Sequence, residues 1–181
     1  MVDNIKRFIW KILKWGRVFI VYRFFKKTTY GVRVLVIDKT EDQFSVRSFN
    51  KSRISPEKIF LIKHPYDNFW VLPGGGRKKE ESISKTAKRE SEEEAGLILE
   101  GDLKKLGRYF NNKEYKNDYI DIVVAHSWKE SNKKRRLIDK IEIQKRGWFN
   151  LNQLPTISIA TQKRIKEYLN NDFSDEIRSW S

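Results

Sequence analysis

There is no cysteine among the 181 residues of this chain, so neither a disulfide nor a thiolate metal site is available to it. Histidine is almost as scarce: His64 and His126 stand far apart, at no spacing that grips a metal through imidazole. Any cation the protein holds should therefore be a hard one, ligated by oxygen. Long apolar runs are missing too. In the N-terminal arm the longest uncharged apolar run is Val18 to Tyr22, far below the ~20 residues of a membrane-spanning helix. Lys and Arg also interrupt that arm too often for a cleaved secretory signal. These absences predict a cytoplasmic protein.

Positive charge, by contrast, is abundant and unevenly spread. Of the net charge of +14, residues 1–37 carry +8 (nine Lys/Arg against Asp3), and the remaining 29 bases against 23 acids carry +6. Such an excess favours anionic partners: nucleotides, RNA or acidic lipid. Between Asn4 and Arg17, Ile5, Phe8, Ile9, Ile12 and Leu13 fall on one helical face and Lys6, Arg7, Lys11, Lys14 and Arg17 on the other. This basic amphipathic helix has two uses open to it. It can pack on the core or on a second copy of the chain, giving a monomer or a homodimer. It can also lie on an anionic membrane, making the protein peripheral at the inner membrane surface.

Beyond the arm, GVRVLVID (Gly31 to Asp38) and KIFLIK (Lys58 to Lys63) predict buried strands, with weaker strand signals at Phe44 to Phe49 and Phe69 to Leu72. Pro73-Gly74-Gly75-Gly76 forces a loop. Ser82 is a natural N-cap for a helix running to about Ala95, with Gly96 just past its end. Strands follow at Leu103 to Phe110, Tyr119 to Trp128 and Ile138 to Ile143, then a charged loop signal at Lys129 to Arg136 lies between the last two. A final helix is expected around Thr161 to Leu169, and the last dozen residues read as a loosely held tail. Irregular alternation of strands and helices implies an α/β chain with a mixed sheet and helices on its faces.

The helix after the glycines carries Arg89-Glu90-Ser91-Glu92-Glu93-Glu94. On an α-helix Glu90, Glu93 and Glu94 stand at i, i+3 and i+4, so their carboxylates share a face. Like charges at that spacing each cost the helix roughly 0.2–0.5 kcal/mol, and carboxylates in the last turns also oppose the helix dipole. A run of Glu is ordinarily just a solvated face. Here it follows a glycine turn where backbone can approach a phosphate or metal closely, and a divalent cation would relieve both violations.

Gly75, five residues, Glu81, seven residues, Arg89-Glu90, two residues, Glu93-Glu94, one residue, Gly96-Leu97 is similar to the Nudix box. All fixed residues of that pattern are present, and Ser91 stands where the family has an apolar residue. The stretch KIFLIKHPYDNFWVLPGGG before the box and IEIQKRGWFNLNQLP (Ile141 to Pro155) after it also resemble the family's flanking segments. The resemblance implies a Nudix fold, an α/β/α sandwich around a mixed β-sheet, here with an extra N-terminal amphipathic helix. It divides the chain into a basic arm (1–28), a Nudix domain (29–170) and a tail (171–181).

The resemblance further implies a hydrolase that uses Mg²⁺ or Mn²⁺ to cleave the pyrophosphate of a nucleoside diphosphate linked to another group. Glu90, Glu94 and Glu93 are then the metal ligands, completed by a backbone carbonyl of Gly74 or Gly75. Arg89 and Glu81 form an orienting pair, and Glu93 or Glu142 takes the proton from water. Gly75, Gly76, Tyr66 and Phe69 are candidates for substrate contact, the two rings by stacking. Tyr115 stands where dinucleoside polyphosphate hydrolases often carry a tyrosine. Two alternatives stay open. One is removal of pyrophosphate from the 5′ end of RNA, helped by the basic arm and the loop Lys133-Lys134-Arg135-Arg136; the other is a Nudix-fold module that binds a nucleotide without cleaving it.

Overall fold

A computed structural model describes residues 28–39, 57–112, 117–133 and 141–180. The N-terminal helix, the segment around Phe44 to Phe49, Tyr115 and the basic residues 134–136 lie outside the described residues.

The strands are β1 (Thr28–Asp38), β2 (Lys58–Lys63), β3 (Leu97–Leu99), β4 (Lys104–Asn111), β5 (Asn117–Ala125), β6 (Trp128–Glu130), β7 (Lys145–Asn150) and β8 (Ile177–Ser179). Two α-helices accompany them, α1 (Ile83–Glu90) and α2 (Ile159–Leu169). Six strands form one mixed sheet in the order β7-β2-β1-β5-β4-β8, and β3 pairs with β6 in a separate ribbon. In the large sheet β1 runs parallel to β5 and antiparallel to β2.

Alternation along β1 builds both layers of the core. Val32, Val34 and Val36 point to the side of Ala87 and Ala95, on the acidic helix and its extension. Leu35 and Ile37 point to the other side, against Leu72, Tyr109 and Ile165 of α2. The sheet is thus sandwiched between α1 and α2, as expected of an α/β/α arrangement.

Only two pairs of residues join the C-terminal half of β1 to β2 (Ile37 with Ile59, Asp38 with Lys58). Along its N-terminal half, the glycine loop takes the place of a strand. Val32 N–H donates to Gly75 O at 3.0 Å, Val34 N–H to Pro73 O at 2.9 Å, and Arg77 N–H to Tyr30 O at 2.8 Å. The loop is therefore locked to the sheet edge and holds a fixed position beneath α1.

Three expectations change. The helix does not run as α to Ala95: it is α-helical to Glu90 and then opens into a π-helical turn over Ser91–Ala95. Ile141 and Glu142 are helical, where the apolar alternation of Ile138 to Ile143 suggested a strand. The C-terminal residues are held, not loose. β8 pairs parallel with β4 through Arg108 with Ile177, Tyr109 with Arg178 and Phe110 with Ser179. No helix among the described residues is long and apolar enough to cross a membrane.

Candidate active site

Ser82 starts α1 as an N-cap, its hydroxyl accepting from Lys85 N–H at 3.1 Å, and Gly96 ends the π turn in the left-handed conformation with φ 71°. Between these two ends the acidic residues of the box are set out against the glycine loop. A π turn fits one extra residue into a helix and is common at functional sites. Here it falls on the very residues Ser91 to Ala95 that carry Glu93 and Glu94.

Arg89 is the organiser of this face. Its Nε and Nη2 donate to the two carboxylate oxygens of Glu81, each at 2.9 Å, a bidentate pair. Its Nη1 reaches Glu90 at 2.5 Å and Glu93 at 3.4 Å, and Nη2 also meets the Gly76 carbonyl at 3.0 Å. Hydrogen bonds from Arg89 hold the Glu81 carboxyl down at about 2, and Glu81 in turn raises the guanidinium above its ordinary value. One guanidinium thus ties together Glu81, Glu90, Glu93 and the glycine loop.

Glu90 is only 8% exposed, and burial raises its carboxyl above the usual range despite the Arg89 charge beside it. Glu94 is pushed up to about 7 by burial, opposed by the Arg33 charge and by a hydrogen bond from Gly74 N–H at 2.7 Å. Two neighbouring carboxylates are thus desolvated beyond what their own partners offset, a combination typical of functional sites.

The glycines are shaped by the same arrangement. Gly74 has φ +142°, and a Cβ there would fall 2.1 Å from Val32 O. At Gly75 a Cβ would land 2.6 Å from the Glu90 carboxylate. Only glycine lets the loop lie between β1 and the acidic helix.

Among the described residues, no three carboxylate or imidazole groups are gathered into a ready-made cation cage. Arg89 and Gly74 N–H hold the carboxylates instead. The donor set still fits a hard divalent cation: Glu90 and Glu94 offer desolvated carboxylate oxygens, and the Gly74 and Gly75 backbone lies against them.

The other residues singled out from sequence divide. Glu142 is brought to the site: its carbonyl accepts from His64 Nδ1–H at 2.9 Å, and its negative charge bears on Glu94 and on Tyr66. Tyr66 stacks on His64 with ring centroids 5.1 Å apart and borders a cleft of about 140 Å³. Phe69 is 47% exposed and does not border that cleft. Gly76 meets the site through its carbonyl alone.

Sequence reading passed over several residues of the cleft. Arg33 lies in the middle of β1, a charged residue within a largely buried strand. It turns its guanidinium to the carbonyls of Gly74 and, at 3.4 Å, of Leu72, and it also borders the cleft. A charge within GVRVLVID was the available signal. Ser158, Thr161 and Trp180 also line the cleft, and nothing in their local sequence pointed there. A larger groove of about 580 Å³, bordered by Trp148, Phe149 and Leu154, lies along the β7 side and contains none of the box carboxylates.

The model of the NUDIX domain family matches residues 27–169 of this chain. Among solved structures, a MutT NUDIX hydrolase from Burkholderia pseudomallei is 22% identical, with a TM-score of 0.56, over 78% of this chain and 98% of that one. An ADP-ribose pyrophosphatase from Streptococcus suis is 18% identical, TM-score 0.55, over 83% and 98% respectively. The NUDIX domain of Shewanella oneidensis NrtR, in complex with ADP ribose, is 18% identical, TM-score 0.58, over 86% and 97%. At these identities the likeness to the solved structures is one of fold.

Proposed function

The chain belongs to the Nudix family, and from that premise we propose that it hydrolyses the pyrophosphate bond of a nucleoside diphosphate linked to another group, with Mg²⁺ or Mn²⁺. The observation that carries this reading is the pair of desolvated carboxylates, Glu90 and Glu94, pressed against the glycine loop. Two such groups without a cation between them leave a large desolvation penalty, and a divalent ion together with a diphosphate would remove it.

In this reading Glu90 and Glu94 hold the cation, with Glu93 and a Gly74 or Gly75 carbonyl beside them. When bound, the cation would neutralise charge on the diphosphate and make water a stronger nucleophile at neutral pH. Arg89 and Glu81 keep the carboxylates oriented through their bidentate pair. Arg33 brings a fixed positive charge to the floor of the site, suited to a phosphate oxygen. Glu142, or else Glu93, accepts the proton of the attacking water. Glu93 is held by Arg89, whereas Glu142 is near enough for its charge to bear on Glu94, which makes Glu142 the first to test.

The cleft beside Arg33 is the natural seat for part of the nucleoside. Two of the similar solved structures concern ADP ribose, so ADP ribose heads the substrates to try. The test is a panel of nucleoside diphosphate derivatives and 5′-triphosphorylated RNA, incubated with Mg²⁺ and analysed for released nucleoside monophosphate. Monophosphate formed from a small diphosphate ester supports the reading. Release of pyrophosphate from RNA alone would replace it, and binding without turnover would make the protein a nucleotide-binding module.

A further inference from the structure

The residues lining the cleft next to the acidic cluster have two origins. Arg33, His64 and Tyr66 come from within residues 27–169, the part that matches the family. Trp180 comes from the strand β8 segment, which lies beyond it. From the placement of that ring, we infer that Trp180 is a specificity-determining residue that stacks on the planar base of the nucleotide. This inference rests on the proposed nucleotide chemistry of the same site.

Size argues first. The cleft measures about 140 Å³, well below the ~300 Å³ at which a whole drug-sized ligand is enclosed. It takes one ring system and leaves the sugar and phosphates outside. Its position gives those phosphates a place. Arg33 is shared between the cleft and the glycine loop, and Gly74 bridges Arg33 to Glu94, its carbonyl accepting from the one and its N–H donating to the other. A base in the cleft therefore directs its phosphates towards the acidic cluster.

Chemistry argues next. The lining includes aromatic surface, the His64–Tyr66 stack and Trp180, together with the Ser158 and Thr161 side chains. A flat ring with polar edges matches such a lining better than a sugar or an alkyl chain does.

Rigidity argues last. Trp180 is half-buried and braced from behind. Its backbone N–H donates to Phe110 O at 3.0 Å, and its ring meets Tyr109 edge-on with centroids 6.1 Å apart. The Arg164 guanidinium lies 3.6 Å from the Tyr109 ring centroid and 5.5 Å from that of Trp180. Arg178 adds a hydrogen bond to Tyr109 Oη at 2.8 Å, while that hydroxyl donates to Glu167 at 2.6 Å. Two arginines, a tyrosine and a glutamate hold this last turn of chain in place, so the ring is pre-organised to stack.

The experiment measures binding of AMP, GMP, CMP and ribose 5-phosphate to the full chain by calorimetry, for wild type, Trp180→Leu and Trp180→Phe. The melting temperature of each variant is recorded alongside. Wild type should bind the nucleotides more tightly than ribose 5-phosphate. Trp180→Leu should lose about tenfold or more for at least one nucleotide, as expected for one stacked base, and leave ribose 5-phosphate unchanged. Trp180→Phe, which keeps a ring, should recover most of the affinity. If wild type binds the nucleotides no better than ribose 5-phosphate, the inference fails. It fails equally if Trp180→Leu binds them like wild type, or loses ribose 5-phosphate to the same extent. None of these readouts depends on turnover. A protein that stacks bases but cleaves no diphosphate overturns the proposed function and leaves Trp180 its role.

Discussion

Gly74 donates its backbone N–H to the Glu94 carboxylate at 2.7 Å, while the same residue sits at φ +142° beneath Val32. A single glycine therefore joins the first strand of the sheet to the last carboxylate of the acidic helix.

Gly74→Ala should be severe. Its Cβ would meet Val32 O at 2.1 Å in a backbone conformation that side chains rarely adopt. We expect a loss of about 3 kcal/mol or more in chemical denaturation. Gly76→Ala, with nothing within 4 Å of the added Cβ and no positive φ, should stay within about 0.5 kcal/mol of wild type.

Ser91→Ala should stabilise the protein. Ser91 is 0% exposed and its hydroxyl has no hydrogen-bond partner among the described residues. Removing an unsatisfied buried hydroxyl should gain about 1 kcal/mol, read as a higher denaturant midpoint at unchanged slope. Turnover should stay within about twofold, since the side chain faces the core.

Arg89→Lys keeps the charge and loses the fork. The bidentate contact with Glu81 and the reach to Glu90, Glu93 and Gly76 O cannot all be made by one ammonium. The expected outcome is a loss of roughly 10- to 100-fold in Mn²⁺ affinity, measured by electron paramagnetic resonance of free Mn²⁺.

These cases show where the sequence was legible. The spacing from Gly75 to Leu97 identified the box, and Ser82 and Gly96 marked its helix ends, because caps and glycines act locally. The π turn was not legible, since it alters which backbone groups pair without altering the residue spacing. Ile141 and Glu142 alternate like a strand with their neighbours, yet are helical. β8 is three residues long and pairs with a strand some seventy positions earlier, so no local pattern announces it, and Arg33 and Trp180 come to border one cleft only through the fold.

Acid stability should report on His64. Burial lowers its pKa below the ordinary 6.5, so the folded protein holds the ring neutral while the unfolded chain protonates it. Its contribution is fully present above 6.5 and is lost as pH falls from there towards the folded value. His126 shifts in the same direction and adds to the slope. His64→Gln keeps a donor for the Glu142 carbonyl and cannot titrate. Its stability should fall less steeply than that of wild type between pH 6.5 and 5, followed by denaturant midpoints.

The measurement closest to the central claim compares wild type and Glu94→Gln for Mg²⁺-dependent release of nucleoside monophosphate from ADP ribose and the related diphosphates. Glu94→Gln retains shape and hydrogen bonding but removes the charge, so the fold should melt like wild type. Turnover by wild type and its loss in Glu94→Gln is the expected result. Near wild-type turnover by Glu94→Gln would contradict the assignment of the acidic helix as the cation-holding centre.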